Sequence, residues 1–249
     1  MISRNSSRIS VVGGVYAFVF SVLLTSPAAV AQSLSVLPVN IFFSPGQRAT
    51  SLTVTNQGNS EIALQTRAFA WSQKEGEDDQ LTAADNVVLS PPIVKMAPGA
   101  KQVIRVILRQ SPENREDTYR ILMDQIPPPP EAGVVHMVLR LSIPIFAQPA
   151  VRSFPDVQFH LEYKNGQIDL VGVNAGNLHE KIRDIVLSTS DGRKLKPDSN
   201  ASPYLLAGAT RRWHFSIEKT QTPPSGAMQL TAHLDAGAID EQVRFVPGP

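Results

Sequence analysis

The sequence has no cysteine among its 249 residues. Disulfide bonds and cysteine-ligated metals are therefore excluded, and the chain must be stabilised by the burial of apolar side chains. It also lacks an excess of either charge, with 23 Lys and Arg against 22 Asp and Glu. This balance argues against nucleic acid or a membrane surface as the main partner, because both select for strongly basic chains.

Catalytic motifs are missing as well. The chain has no Gly-x-Ser-x-Gly elbow and no glycine-rich phosphate loop. The acidic stretch 73–80 lacks the carboxylate spacing of a calcium loop. The histidines are scattered, without the i, i+4 spacing of a metal-binding helix: His136, His160, His179, His214 and His233. We therefore expect that the protein is not an enzyme and binds neither a cofactor nor a metal. A catalytic triad assembled from distant segments would, however, leave no such motif.

Residues 1–31 have the pattern of a secretory signal peptide. Arg4 and Arg8 precede an apolar run over 11–24, and the small residues Ala-Val-Ala at 29–31 form a cleavage motif. The run is shorter than the roughly 20 apolar residues of a transmembrane helix. We therefore predict export by a cleavable leader, with no membrane insertion of the mature chain.

Short β-like runs follow, such as "LSVLPVNIFF", "TSLTVTN", "QVIRVILR" and "YRILMDQI", separated by Pro, Gly, Asn and Asp. No long stretch has an apolar period of 3.6 residues. Short strands at this spacing predict an all-β fold of β-sandwiches. Within the stretch "YKNGQIDL" (163–170), Asn-Gly between alternating runs predicts a two-residue hairpin.

The length of the mature chain predicts two domains, at roughly 100–150 residues each. We place the N-terminal domain at 32–147, a linker at 148–153 and the C-terminal domain at 154–249. Pro149 and Pro155 suit a short, stiff connection between the two.

Three segments together carry a family resemblance: "SPPIVKMAPGAKQVIRV" (90–106), "YRILMDQIPPPP" (119–130) and "LSIPIFAQPA" (141–150). With the proline-bearing linker and second β domain, their order and spacing resemble the periplasmic chaperones of the chaperone–usher pilus pathway. The sequence is most similar to the branch that serves archaic, spore-coat-type pili. The motifs are weak one by one, and their combination is specific.

The resemblance implies two immunoglobulin-like β-sandwich domains in an L or boomerang arrangement, with a cleft between them. It also implies that the last strand of the first domain is lent to a pilus or fimbrial subunit whose own sandwich lacks a strand. The implied partners are such subunits and an outer-membrane usher. The sequence leaves open which subunit and usher these are, and whether the free chain self-associates.

The long apolar run "VVHMVLRLSIPIF" (134–146) is the strand to be lent. Side chains alternate between the two faces of a strand. We predict that one row enters the subunit: Val135, Met137, Leu139 and Leu141. The alternate row is expected to face this protein's own sheet: His136, Val138, Arg140 and Ser142. Four buried aliphatic side chains contribute about 6–12 kcal/mol before ordering costs. The alternative is that the donated row merely completes the protein's own core.

The family usually holds the subunit's terminal carboxylate with a basic pair in the cleft. The aligned positions here are Asn40 and Pro144, and neither is basic. Arginine offers the best bidentate geometry for a carboxylate. We therefore predict Arg105 and Arg120, which lie inside β-like runs, as replacement anchors, with Arg140 and Lys101 as weaker candidates.

The main alternative function is an exported two-domain β-sandwich that acts as an adhesin or ligand-binding protein. It would be a stable monomer with a pocket lined by side chains. The survival of a pilus subunit would then not depend on co-expression with this chain.

Overall fold

The computed structural model describes residues 34–74, 79–130, 132–133, 137–164, 166–199, 202–216 and 226–246. Within these ranges the regular structure is entirely β, with no α-helix. The first ten strands are β1 (Leu34–Leu37), β2 (Ile41–Phe43), β3 (Ala49–Asn56), β4 (Ile62–Ser72), β5 (Gln80–Ala83), β6 (Val87–Ser90), β7 (Ile93–Met96), β8 (Lys101–Leu108), β9 (Asp117–Ile126) and β10 (Arg140–Ala147).

Nine strands follow. They are β11 (Val157–Lys164), β12 (Gln167–Asn174), β13 (Glu180–Lys181), β14 (Arg183–Ser188), β15 (Lys194–Leu195), β16 (Tyr204–Leu205), β17 (Thr210–Ser216), β18 (Ala227–Leu234) and β19 (Gly237–Arg244).

The first ten strands form two facing sheets. One has the order β1-β3-β8-β6, and the other has the order β2-β10-β9-β4-β5, with β7 also paired to β4. Alternation along each strand fills the space between them. In β9, for example, Tyr119, Ile121 and Met123 are buried, and the residues between them point to the outer face. This is the period-2 pattern of a half-buried strand.

Strands β11 to β19 form the second sandwich. Its main sheets have the orders β11-β12-β17 and β15-β14-β18-β19, and β13 pairs with β16. The predicted hairpin is confirmed, because Lys164 pairs with Gln167 across a two-residue connection. Gly166 in that connection has φ +82°, a conformation that glycine adopts without a steric penalty.

The predicted all-β fold of two sandwiches is therefore confirmed. One apolar core lies between the first two sheets, and a second fills the other sandwich. Trp71 and Phe146 come from strands of the first sandwich but pack with the second core. Among the described residues, no helix is long and apolar enough to cross a membrane. The exact domain boundaries and the linker at 148–153 stay predictions.

One predicted β run is divided in the structure. The stretch "LSVLPVNIFF" reads as a single β segment, yet it forms β1 in one sheet and β2 in the other. Pro38 lies between them, after a cis peptide bond with Leu37. Proline has no N–H for a ladder, so a strand ends readily at this position.

Candidate functional site

Strand β10 is fully paired on one side and only partly on the other. Every residue from Arg140 to Ala147 pairs with β9. On the other side, β2 pairs only with Ile145–Ala147. Among the described residues, the edge of β10 over Arg140–Pro144 therefore has no strand partner. Unpaired edge groups of this kind are a template for another strand.

Backbone direction along β10 follows from two observations. The carbonyl of Leu139 accepts a hydrogen bond from the N–H of Gln125, at 2.9 Å. Pro144 lies opposite Arg120 but has no N–H to donate. Odd-numbered residues therefore bond to β9, whereas the N–H and C=O groups of Arg140 and Ser142 point to the open edge. Proline is tolerated at Pro144 because its missing N–H would face that edge.

Side-chain directions correct one sequence prediction. Leu141, Ile143 and Ile145 pack on the core of the first sandwich, whereas Arg140 and Ser142 are exposed on the opposite face. The prediction that the alternate row faces this protein's own sheet is therefore wrong for Arg140 and Ser142. Residues two apart in a strand lie on the same face. Leu141 of the predicted donor row therefore shares a face with Ile143 and Ile145, which pack in this protein's own core.

The apolar segment before β10 is exposed. Met137 is 84% exposed, Val138 48% and Leu139 36%. Residues 137–139, which the apolar pattern assigned to the strand, precede β10, which is described from Arg140 onward. Val135 and His136 lie outside the described residues. The donor role of Val135, Met137, Leu139 and Leu141 stays a prediction.

Arg120 lies in the cleft between the two sandwiches. Its guanidinium carbon sits 3.8 Å from the centroid of the Trp71 ring, a cation–π contact. One nitrogen donates to Ser142 Oγ at 3.4 Å, and another lies 3.5 Å from Asp79 Oδ2. Burial lowers the pKa of Arg120, and the Asp79 carboxylate partly offsets that effect. Both polar contacts are long, so the guanidinium keeps N–H donors for an anion.

Arg211, on β17 of the second sandwich, faces the same cleft. It donates to the carbonyl of Tyr204 at 2.8 Å and lies over the Trp213 ring at 5.4 Å. Burial is also the main cause that lowers the pKa of Arg211, and the positive charge of Arg120 lowers it further. The structure therefore brings two half-buried guanidinium groups, one from each domain, to one cavity of about 720 Å³.

The other candidate anchors lie elsewhere. Arg105 is exposed on β8, on the outer face of the opposite sheet, so the structure does not bring it together with Arg120. Lys101 is exposed on the same strand. Arg140 is bound to Asp124 on the outer face of β9 and β10. The structure therefore places Arg211, and not Arg105, beside Arg120, and the anchor role of Arg105 and Arg120 stays a prediction.

The family's usual anchor positions are also visible. Asn40 receives a hydrogen bond from the Tyr204 hydroxyl at 3.4 Å. Pro144 is buried, directly across the sheet from Arg120. An arginine on the neighbouring strand thus stands beside the position where a basic side chain was expected. Among the described residues, no group of three or more His, Cys, Asp or Glu side chains could hold a metal ion.

A buried contact joins the two domains next to this cleft. The Glu116 side chain is fully buried. Its Oε2 accepts a hydrogen bond from the backbone N–H of His179 at 2.9 Å and lies 2.7 Å from Nδ1 of the His179 ring. The His179 ring stacks on Phe146 with centroids 3.6 Å apart. Tyr204 and Trp71 pack on Phe146 as well. The end of β10 is thereby fixed against the second domain.

Sequence reasoning missed three parts of this arrangement: Arg211, the Trp71–Arg120 contact and the Glu116–His179 contact. A usable signal existed for Arg211, since Arg-Arg-Trp lies inside a β-like run and an arginine there needs a partner. Glu116 follows no motif. Its partner is 63 residues further along the chain.

The fold resembles that of solved chaperone structures. A chain of the CsuC–CsuE chaperone–tip adhesion subunit pre-assembly complex from Acinetobacter baumannii matches with a TM-score of 0.62 at 19% identity, covering 87% of this chain and 100% of that one. The YadV chaperone matches with a TM-score of 0.60 at 14% identity, covering 85% and 98%. The fold is thus the two-domain β-sandwich fold of PapD-like chaperones.

The sequence comparisons match a family model to part of the chain. Residues 33–152 match the family "Pili and flagellar-assembly chaperone, PapD N-terminal domain". The chain is 27% identical over 113 residues to the chaperone protein PapD of Escherichia coli, covering 43% of this chain and 45% of PapD. It is 32% identical over 108 residues to the uncharacterized fimbrial chaperone YbgP of Escherichia coli (strain K12), covering 41% and 42%. The chain thus spans less than half the length of these two relatives.

Proposed function

We propose that this chain is a periplasmic chaperone that binds pilus or fimbrial subunits by lending them a strand and delivers them to an outer-membrane usher. The observation that carries the proposal is the open edge of β10 over Arg140–Pro144, which continues into the exposed segment at Met137–Leu139. A sandwich that lacks a strand has the complementary defect, and strand addition repairs it through main-chain hydrogen bonds and alternate side chains.

Several comparisons support subunits as the partners. The CsuC–CsuE structure holds a chaperone with a tip adhesion subunit, and another chain of the same fold, with a TM-score of 0.55, comes from the SafA pilin in complex with the SafB chaperone. The matched family is described as a pili and flagellar-assembly chaperone. The usher, the periplasmic location after leader cleavage and the archaic branch stay predictions from the sequence.

The donor row would extend this protein's own core. Leu141 packs on the first sandwich, and a strand extended toward the N-terminus on docking would place Leu139 and Met137 on the same side by alternation. A subunit docked on the open edge would therefore place its core end to end with the core of the chaperone. In this arrangement Leu141 lies where the two cores meet, and Val135, Met137 and Leu139 enter the subunit.

Co-expression tests the donor row. A pilus subunit from the same genome should be recovered from the periplasm only with the wild-type chain, and the double variant Met137→Asp, Leu139→Asp should abolish recovery. The matched control is Ile93→Asp, Val103→Asp, which places the same charges on exposed apolar residues, 56% and 55% exposed, away from β10. Equal recovery with and without the chaperone would contradict the function. Equal recovery with both double variants would contradict the donor row.

We also propose that Arg120 and Arg211 bind the terminal carboxylate of the subunit. They are the half-buried cations that face the cleft from its two sides. Removing a charged hydrogen bond costs about 1.5–3 kcal/mol. We therefore expect Arg120→Ala or Arg211→Ala to weaken subunit binding by roughly ten- to a hundredfold. Arg67→Ala is the control, because Arg67 lies on the same sheet but is bound to Asp124. Unchanged affinity in both cleft variants would contradict the anchor.

A further inference from the structure

Asp79 is held in the cleft by a side chain that also bridges the two domains. Gln73 donates from Nε2 to Asp79 Oδ1 and to the carbonyl of Tyr204, both at 2.9 Å. The N–H of Leu206 donates to Gln73 Oε1 at 2.9 Å. The amide of Gln73 is therefore fixed by the second domain, and it fixes the carboxylate of Asp79 in turn.

The second oxygen of Asp79 lies near Arg120 without binding it tightly. Oδ2 lies 3.5 Å from Arg120, well beyond the 2.7–2.9 Å typical of an ion-paired hydrogen bond. Asp79 nevertheless raises the pKa of both Arg120 and Arg211, so its charge acts on both guanidinium groups. One carboxylate thus lies on the same cavity as two half-buried cations, and its contact with Arg120 is long enough to leave donors of that guanidinium available.

The charges around this cavity make Asp79 the carboxylate best placed to neutralise the pair. Asp198 also lines the cavity but binds the N–H and hydroxyl of Ser216. Arg212 lines it too, yet its guanidinium donates two hydrogen bonds to the carboxylate of Glu162 on β11. Lys74 lies at the rim and is exposed.

We propose that Asp79 is a built-in substitute for the subunit's terminal carboxylate, and that it lowers the affinity of the cleft for that carboxylate. In the subunit-free chain, the negative charge of Asp79 partly neutralises two guanidinium groups that are partly desolvated. When a subunit binds, its terminal carboxylate must share these two guanidinium groups with Asp79 or displace Asp79 from them. Repulsion between the two carboxylates then favours release of the subunit once the lent strand is exchanged. This inference rests on the proposed anchor at Arg120 and Arg211.

The test is an anion titration of the whole mature chain with sodium acetate, at ionic strength held constant with sodium chloride. The Nε–Hε signals of Arg120 and Arg211 are followed by nitrogen-15 NMR. We expect Asp79→Asn to bind acetate about five- to tenfold more tightly than wild type, because a like charge a few ångströms away is removed. Asp79→Glu keeps the charge and should stay within about twofold of wild type.

Two controls separate this inference from the anchor itself. Asp124→Asn removes a carboxylate that binds Arg67 and Arg140 outside the cleft, so it should leave acetate binding unchanged. Arg120→Ala should abolish binding. Equal affinity in wild type and Asp79→Asn, together with loss in Arg120→Ala, would overturn the role of Asp79 and leave the anchor standing. If acetate shifts neither arginine signal in any variant, the anchor and the inference are both overturned.

Discussion

Two halves of one apolar run have opposite surroundings. Ile143–Ala147 is fully packed, and Phe146 within it is sealed by rings from both domains. Met137–Ser142 is largely exposed, even though it is almost as apolar. Residues Ile143–Ala147 therefore contribute to the stability of this chain, whereas Met137–Ser142 gains stabilisation only if another molecule covers it. The following predictions test that division, beginning with the largest effect.

Phe146→Ala should be the most destabilising of these changes. The side chain is fully buried and stacks on His179, so its loss leaves a cavity at the domain joint. We expect about 3–5 kcal/mol less free energy of unfolding, measured by urea denaturation. Phe154→Ala is the control, since Phe154 is 58% exposed and should cost clearly less. Equal losses would show that the joint is not specially packed.

Glu116→Gln should have the next largest effect. The substitution keeps the shape of the side chain but removes the negative charge that accepts from the backbone and ring of His179. We expect a loss of about 1–3 kcal/mol in the free energy of unfolding at neutral pH. Glu113→Gln, an exposed position three residues earlier, should leave the unfolding midpoint unchanged. A matching loss there would mean that the effect is unspecific.

Acid should affect the exposed half only slightly. Hydrogen bonds from Arg140 and Arg67 hold the pKa of Asp124 below its usual range. A carboxyl group with a lowered pKa stabilises the fold above its unfolded pKa of about 3.9, and this stabilisation is lost as pH falls through the folded value. Because the pair is partly exposed, the amount is about 0–1 kcal/mol. The stability difference between wild type and Asp124→Asn should therefore vanish at low pH, and a constant difference would contradict this account.

Met137→Thr should change stability least. At 84% exposure the side chain gains little from its own fold, so we expect less than about 0.5 kcal/mol by urea denaturation. Ile143→Thr is the matched change in the buried half and should cost more than about 1 kcal/mol. If Met137→Thr proved as costly as Ile143→Thr, Met137 would belong to the protein's own core and the division of the run would be wrong.

Much of the fold could be predicted from local patterns. Alternation of apolar residues predicted strands such as β8 and β9, and Asn-Gly predicted the hairpin between β11 and β12. Both signals act between neighbours in sequence, where the pleat and the turn geometry decide the outcome. The assignment of β1 and β2 to different sheets was harder to predict, because a proline shows where a strand stops but not where the chain continues.

The site was less predictable because its parts come from distant strands. Alternation showed that Arg120 points to the outer face of its strand, but only the packing of the second domain makes that face the wall of a cleft. Arg105 has an equally suggestive sequence setting and lies on the opposite outer face. The parity of the donor row was also ambiguous. When a strand is apolar on both faces, its sequence does not indicate which face packs on the protein's own core. The pairing of β10 with β9 in the structure is needed to decide this.

Pro144 sets the register for any strand that docks beside β10. Arg140 and Ser142 can each offer an N–H and a C=O to a neighbour at the open edge, whereas Pro144 has no N–H to offer and stands where the pairing of β10 with β2 begins. A docked strand therefore loses one donor just before the cleft, so sliding it by two residues exchanges a complete hydrogen-bonding position for a defective one. An imperfection in the edge thus acts as a position marker, which penalises shifted pairings without any side chain having to recognise the partner.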